Sequence, residues 1–237
     1  MTVNIAAFGA LNADSYEEFE RQLGEAAAAA GLDYALSSAK PYPNAEAVSA
    51  PGRPLRGEAL QDEAKKNQLF EAVAEDAREI GAASAGIRVM PCMSMIGFHD
   101  GVEKALGLPI LRLADALMAK YEGVGKLGVI HMRPAKQRIA EMFGDKAVTP
   151  DDVHAAMLLA AEEEAKKLGS PAPVEAAMRE IVSAWKKDGL EHILFARADA
   201  PKAKHGTAGE VGGVEILSYF DVLAEAAARE AAKLQAA

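Results

Sequence analysis

Lys126-Leu127-Gly128-Val129-Ile130-His131-Met132 is a short, mostly apolar run, and with it the chain's pattern starts a second time. A run of that length reads as a strand buried on both faces. The same reading fits Val3-Asn4-Ile5-Ala6-Ala7-Phe8, which ends at Gly9. After the first run, Asp14 stands three residues before Glu17, a helix start, and Tyr16, Phe19 and Leu23 follow at helical spacing until Gly31. Asp33 to Ser37 reads as a strand, Glu58 to Ile80 as a long helix, and Ile87 to Pro91 as a strand running into Cys92-Met93-Ser94-Met95 and a helical stretch that ends near Gly107. A helix around Ala114 to Tyr121 precedes the restart. After it, Pro134 opens a helix closed by Gly144, and Thr149-Pro150-Asp151-Asp152 opens another, with a hydroxyl cap and Pro in the first turn. Val174 to Lys187 reads as a helix, Glu191 to Arg197 and Val214 to Leu217 as strands, and an alanine-rich helix completes the chain.

Strand alternating with helix implies an α/β fold with mostly parallel strands. Because the pattern restarts, the expected architecture is two pseudo-equivalent lobes, each a small, mostly parallel sheet flanked by helices. Residues 1–112 and 214–237 would form the first lobe, and 113–213 the second. Ligands of open α/β sheets sit at the carboxyl ends of strands. Those ends are expected to face one another across an interlobe cleft.

Composition narrows the function. Of 237 residues, 50% are hydrophobic and 26% charged, which excludes a disordered chain. The net charge of -9 comes without any basic run, so nucleic acid is excluded as a main partner. The lone cysteine, Cys92, excludes a disulfide framework and a multi-cysteine zinc site. Five scattered histidines offer no tight ligand spacing, so no metal is expected. No apolar run approaches the roughly 20 residues of a membrane span, and Met1-Thr2-Val3-Asn4 carries no basic leader, so a cytoplasmic protein without membrane partners is expected. The proline-rich segment from Ser38 to Gly57 reads either as a binding loop or as a solvated connection. The glycine-rich loop from Pro201 to Gly213 matches neither GxGxxG nor GxxxxGK[ST], which leaves a nucleotide site unsupported.

Cys92 is the chemically distinctive residue. It follows one expected strand and precedes an expected helix, where backbone N–H groups favour a thiolate or cradle a carboxylate. Ser94 adds a hydroxyl donor. An inert buried thiol is the competing reading.

Pro91-Cys92-Met93-Ser94 resembles the Cys-Asn-Thr motif of the cofactor-independent aspartate/glutamate racemase superfamily. Ile5-Ala6-Ala7-Phe8-Gly9 looks like that family's first strand and glycine loop. Leu108-Pro109-Ile110-Leu111 looks like its proline segment before the inter-lobe helix, and Lys126-Leu127-Gly128-Val129-Ile130 like the strand that opens its second lobe. The resemblance implies two lobes and two cysteines, one from each lobe, that remove and return an α-proton from opposite faces without cofactor or metal. It places Cys92 as the first-lobe acid/base, with Asn12, Met93 and Ser94 beside the substrate.

Two departures qualify the resemblance. The family's second cysteine falls where this chain reads Ala196-Arg197-Ala198-Asp199, and its threonine-bearing loop where this chain reads His131-Met132-Arg133-Pro134. A guanidinium cannot act as a base in a protein, but Arg197 can grip a carboxylate bidentately and favour the thiolate of a facing Cys92. A surface pair of Arg197 with Asp199 is the alternative. A second acid/base would have to come from Asp199, His131, His99 or His205, and His131 and Arg133 also become candidate substrate contacts. The expected function is thus a cofactor-independent racemase or epimerase acting on a small carboxylic acid, in a homo-oligomer. The alternatives are a decarboxylase of a malonate-like diacid, with Cys92 as the single proton donor, and a degenerate carboxylate-binding protein.

Overall fold

A computed structural model describes residues 2–9, 13–38, 43–48, 62–131, 136–170, 172–196 and 213–237. The chain divides into two compact units, Met1–Ala119 with Phe220–Ala237, and Lys120–Tyr219. The α/β architecture expected from the alternating pattern is present, with a mostly helix-flanked parallel sheet in each unit.

In the first unit the sheet has the order β2-β1-β3, from β1 (Val3–Ala7), β2 (Tyr34–Ser38) and β3 (Ile87–Val89). Both pairings are parallel, with Ala7 opposite Ser38 on one side and Val89 on the other. The β1 run is apolar because β1 is the central strand, and Ile5, Ala6 and Ala7 are fully buried. Helix α1 (Ala13–Ala29) buries Tyr16, Phe19, Leu23 and Ala27, one helical stripe, and Gly31 stops it at a φ of 62° that few other residues adopt. Helix α2 (Pro43–Val48) follows, then α3 (Glu63–Glu79). Helix α3 begins later than the pattern of Glu58 to Ile80 predicts, because the Asp62 side chain accepts from the N–H groups of Ala64 and Lys65 and caps it there.

Asp76 of α3 is 1% exposed, yet it is fully engaged. One oxygen accepts from the backbone N–H of Asn44 at 3.1 Å and its side-chain amide at 2.9 Å, and the other accepts from Ala45 N–H at 3.0 Å. The carboxylate thereby satisfies first-turn donors of α2 that no backbone carbonyl can reach. Asp76→Ala strands these donors and is expected to cost about 3 kcal/mol, lowering the first unit's melting transition by roughly 6–12 °C. Thermal melting followed by circular dichroism measures this, and a shift under about 2 °C would show the clamp to be energetically idle.

Helices α4 (His99–Leu106) and α5 (Leu113–Lys120) complete this part of the chain. Between them Glu103 accepts from Ile110 N–H at 2.8 Å and pairs with Arg112, which also reaches Asp100 at 2.7 Å. The Arg88 guanidinium donates to the carbonyls of Ala82, Ala85 and Pro109. These charged side chains fasten the loops around β3.

The second unit repeats the plan. Its sheet has the order β5-β4-β6-β7, from β4 (Leu127–His131), β5 (Ala147–Val148), β6 (His192–Ala196) and β7 (Glu215–Ser218), all parallel. Helices α6 (Lys136–Phe143), α7 (Asp152–Leu168) and α8 (Ala172–Lys187) lie between the strands in sequence. Its core gathers Ile130, Met178, Ile181, Val182, Trp185 and Phe195 among others. Trp185 packs against β4 where Gly128 has no side chain. A Cβ there would come within 2.6 Å of the indole.

Three sequence expectations change here. The two-residue β5 was not foreseen, since two residues carry no periodicity. Asp151, not Thr149, caps α7, its side chain accepting from His154 N–H at 2.8 Å. The divisions at 112 and 214 also differ from those of the structure. β7 pairs with β6 and so belongs to the second sheet, while most of α5 falls in the first unit. The last helix, α9 (Tyr219–Ala236), returns to the first unit, with the Phe220 ring 6.3 Å from that of Phe19. Among the described residues no helix is long and apolar enough to cross a membrane.

Candidate active site

Strand order decides where a small molecule can bind in each unit. In the first, the chain leaves β1 for β2 on one side and then crosses to β3 on the other. The crossovers diverge at the carboxyl ends of β1 and β3, the place where open α/β sheets commonly hold their ligands. Phe8 and Gly9 follow β1, and Met90, Pro91 and Cys92 follow β3. Phe8 N–H donates to Val89 C=O at 3.1 Å, so the two ends leave the sheet side by side.

Gly9 has a φ of 121°, open in practice only to glycine. A Cβ on it would meet Met90 Cγ at 2.7 Å and lie 3.9 Å from Cys92 Cβ. The glycine therefore allows the β3 loop to approach the β1 loop closely enough to place Cys92 beside it. Tyr16 braces the same edge. Its hydroxyl donates to Ala7 C=O at 2.7 Å, and burial pushes the phenol pKa far up, so it remains a donor.

Cys92 does not stand at the start of an α-helix. It precedes a single 3-10 turn, Met93–Met95, and α4 begins only at His99. The expected helix-terminus field at the thiol is therefore that of one turn. The Cys92 side chain makes no capping hydrogen bond to that turn. The residue is 3% exposed, with Met93 at 6%. Ser94 has its backbone in the same turn.

In the second unit the divergence falls between β4 and β6. His131 ends β4 and Ala196 ends β6, and the two are directly opposed in the register. His131 is half-buried at the position that corresponds, in the repeated plan, to the end of β1. Arg197 follows Ala196 in sequence. Arg197, Asp199, Asn12, Arg133 and His205 lie outside the described residues.

His99, a candidate proton carrier, is 3% exposed, and its Nδ1 lies 3.1 Å from Ile96 C=O. A carbonyl only accepts, so Nδ1 carries the proton and Nε2 is a bare acceptor. Nε2 is buried without a hydrogen-bond partner among the described residues. Burial lowers the imidazole pKa below 6.5, against the Ile96 bond, with further contributions from Arg112, Glu103 and Asp115. The folded state thus binds fewer protons at His99 than the unfolded state. Stability from this group is complete above about pH 6.5 and falls as the pH is lowered, by at most about 1.4 kcal/mol per pH unit. Urea unfolding between pH 7.5 and 5.5 (roughly the window in which a histidine of unperturbed pKa titrates) should show this slope in the native chain and lose it in His99→Asn. Equal slopes in both would assign the effect to other groups.

Two parallel sheets, each with crossovers that diverge beside its central strand, define a two-unit α/β protein. The model of the Asp/Glu/Hydantoin racemase family matches residues 9–227, and the chain belongs to that family. No curated protein matches it. Among solved structures, a Yersinia pestis protein assigned to the Asp/Glu racemases is 20% identical, with a TM-score of 0.69 over 98% of this chain and 99% of that one. An aspartate racemase homologue from Pyrococcus horikoshii is 14% identical, with a TM-score of 0.67 over 100% of both chains. The aspartate racemase of Picrophilus torridus is 12% identical, with a TM-score of 0.60 over 97% of this chain and 94% of its own. At these identities the likeness is one of fold.

Proposed function

We propose that this chain is a cofactor-independent isomerase that racemises or epimerises a small carboxylic acid, probing its α-proton with Cys92. The observation that carries the reading is the position of Cys92. It ends the loop after β3, beside Gly9, at the switch point of the first sheet in a member of the Asp/Glu/Hydantoin racemase family. As a thiolate, Sγ takes the α-hydrogen as a proton. The electron pair left on carbon delocalises onto the carboxylate as an enediolate, and a proton returned to the opposite face inverts the centre. Backbone N–H groups, Ser94 and Asn12 would stabilise the developing oxygen charge. Arg197 would hold the substrate carboxylate, with Arg133 and Met93 lining it. Asp199 or His131 would serve as the second proton carrier. The same reading takes the protein as a cytoplasmic homo-oligomer with neither nucleic acid nor membrane as partner, in keeping with its charge of -9.

The single thiol favours one rival. With only Cys92 in the chain, a one-sided protonation after loss of CO₂ from a malonate-like diacid needs no second cysteine. Incubating the chain with a panel of amino acids, hydroxy acids and substituted malonates in heavy water separates the cases. α-Deuteration with loss of optical rotation and no CO₂ supports the isomerase. CO₂ release from a malonate overturns it in favour of the decarboxylase. Thermal stabilisation by an acid with no exchange at all would leave a binding protein.

A further inference from the structure

The turns that join Cys92 to α4 form a ladder in which one rung is a side chain. Cys92 C=O accepts from Met95 N–H at 3.1 Å, Met93 C=O from Ile96 N–H at 3.3 Å, and Met95 C=O from Phe98 N–H at 2.8 Å. The next rung, Ile96 C=O, is taken by the imidazole Nδ1 of His99 at 3.1 Å. His99 is also the first residue of α4, so its ring ties the end of the thiol-bearing segment to the helix that anchors it. Its burial at 3% exposure, with Nε2 unpartnered among the described residues, is costly for a polar ring and calls for a compensating role. Among the described residues, the Nδ1 bond is the one hydrogen bond of the ring.

We propose that His99 is the positioning residue of Cys92, a neutral imidazole whose Nδ1–H bond to Ile96 holds the segment 92–98 closed around the thiol. This rests on the reading of Cys92 as the acid/base, and it gives His99 a task other than carrying the second proton. Cys92 is 3% exposed and is carried by that segment, so on this proposal a reagent reaches its sulfur through local opening of the segment. The opening equilibrium is what His99 controls.

The chain's single cysteine makes the test clean, since every alkylated molecule reports Cys92. Iodoacetamide labelling at pH 7.5, followed by intact mass, is compared for the native chain, His99→Asn and His99→Phe (about one pH unit above the free-histidine range, so the ring is neutral). Asparagine places an amide N–H where Nδ1 stood, and phenylalanine fills the volume without any donor. Loss of the bond in His99→Phe should raise the labelling rate roughly fivefold, the effect of one backbone-carbonyl hydrogen bond on a local opening. His99→Asn should restore it to within about twofold of the native rate. Such rescue distinguishes a specific donor from mere filling of space. Equal rates in all three, or a His99→Asn chain that labels as fast as His99→Phe, would overturn the proposal. If His99→Phe does not fold, His99→Gln, whose amide reaches the Nε2 position instead, takes its place with the same expected loss. None of these readouts needs turnover. Exchange absent from the native chain would sink the isomerase reading and leave the tether standing, while unchanged labelling in an active enzyme would do the reverse.

Discussion

Cys92→Ser is expected to leave the chain folded and to reduce α-proton exchange by about 100- to 10,000-fold, the usual weight of a positioned acid/base. Serine is close in size to cysteine, so the loop beside Gly9 need not repack. Its hydroxyl is a far weaker acid than a thiol, however, and cannot hold a negative charge near neutral pH. The substitution therefore removes the proton carrier and little else. The measurement is deuterium uptake at the α-carbon by NMR, with the circular dichroism spectrum and melting transition as controls. The serine chain should also still be stabilised by a substrate carboxylate, because the carboxylate contacts are assigned to other residues. Exchange at the native rate would remove Cys92 from the chemistry and with it the proposed mechanism.

The largest stability effect is expected from Trp185→Ala. The indole is 5% exposed and covers the bare backbone of Gly128 in β4, so truncation opens a cavity against a central strand. Such truncations cost about 3–5 kcal/mol, which corresponds to a drop of roughly 6–20 °C in the melting transition of a chain of this length. Strand β4 carries His131 in register with Ala196, so the loss weakens the elements that present the second strand-end loop. Melting by far-ultraviolet circular dichroism detects the shift, and Trp185→Phe should recover most of it. Because Trp185 is the chain's only tryptophan, the fluorescence of the native protein follows this core directly. A Trp185→Ala chain that melts within about 2 °C of the native would show that the ring fills no essential space.

The architecture was legible because buried parallel strands leave a strong trace. The runs at Ile5 and Val129 are apolar since each belongs to a strand with a neighbour on both sides, and Gly31 and Gly169 end helices because their backbones turn left-handed. Cys92 could be singled out by its place after the third strand. Short or nonlocal features were hidden. β5 is too short to show a period, and nothing in the local sequence says that Val214 to Leu217 joins the second sheet rather than the first. The cap of α7 was misplaced because Thr149 and Asp151 both carry capping oxygens, and only the backbone path selects Asp151. The close approach of Gly9 to Cys92 leaves no pattern at all. A signal for the tether existed only in the placement of a histidine at the start of a helix just beyond a thiol-bearing loop.

The sequence by itself determined the alternation of strand and helix, its restart near residue 126, the single thiol and the resemblance to a family. These depend on local periodicity and on residue identity, which the chain carries openly. Only the tertiary structure decided the strand orders, and hence which strand ends lie together. It also decided that Cys92 is buried, that the α-helix behind it starts at His99, and that His99 spends its Nδ1 proton on Ile96. Contacts of this kind join residues through the register of a parallel sheet and the closure of a loop. That geometry is fixed by the packing of the whole unit, since a parallel pairing is made across a long crossover rather than a local turn.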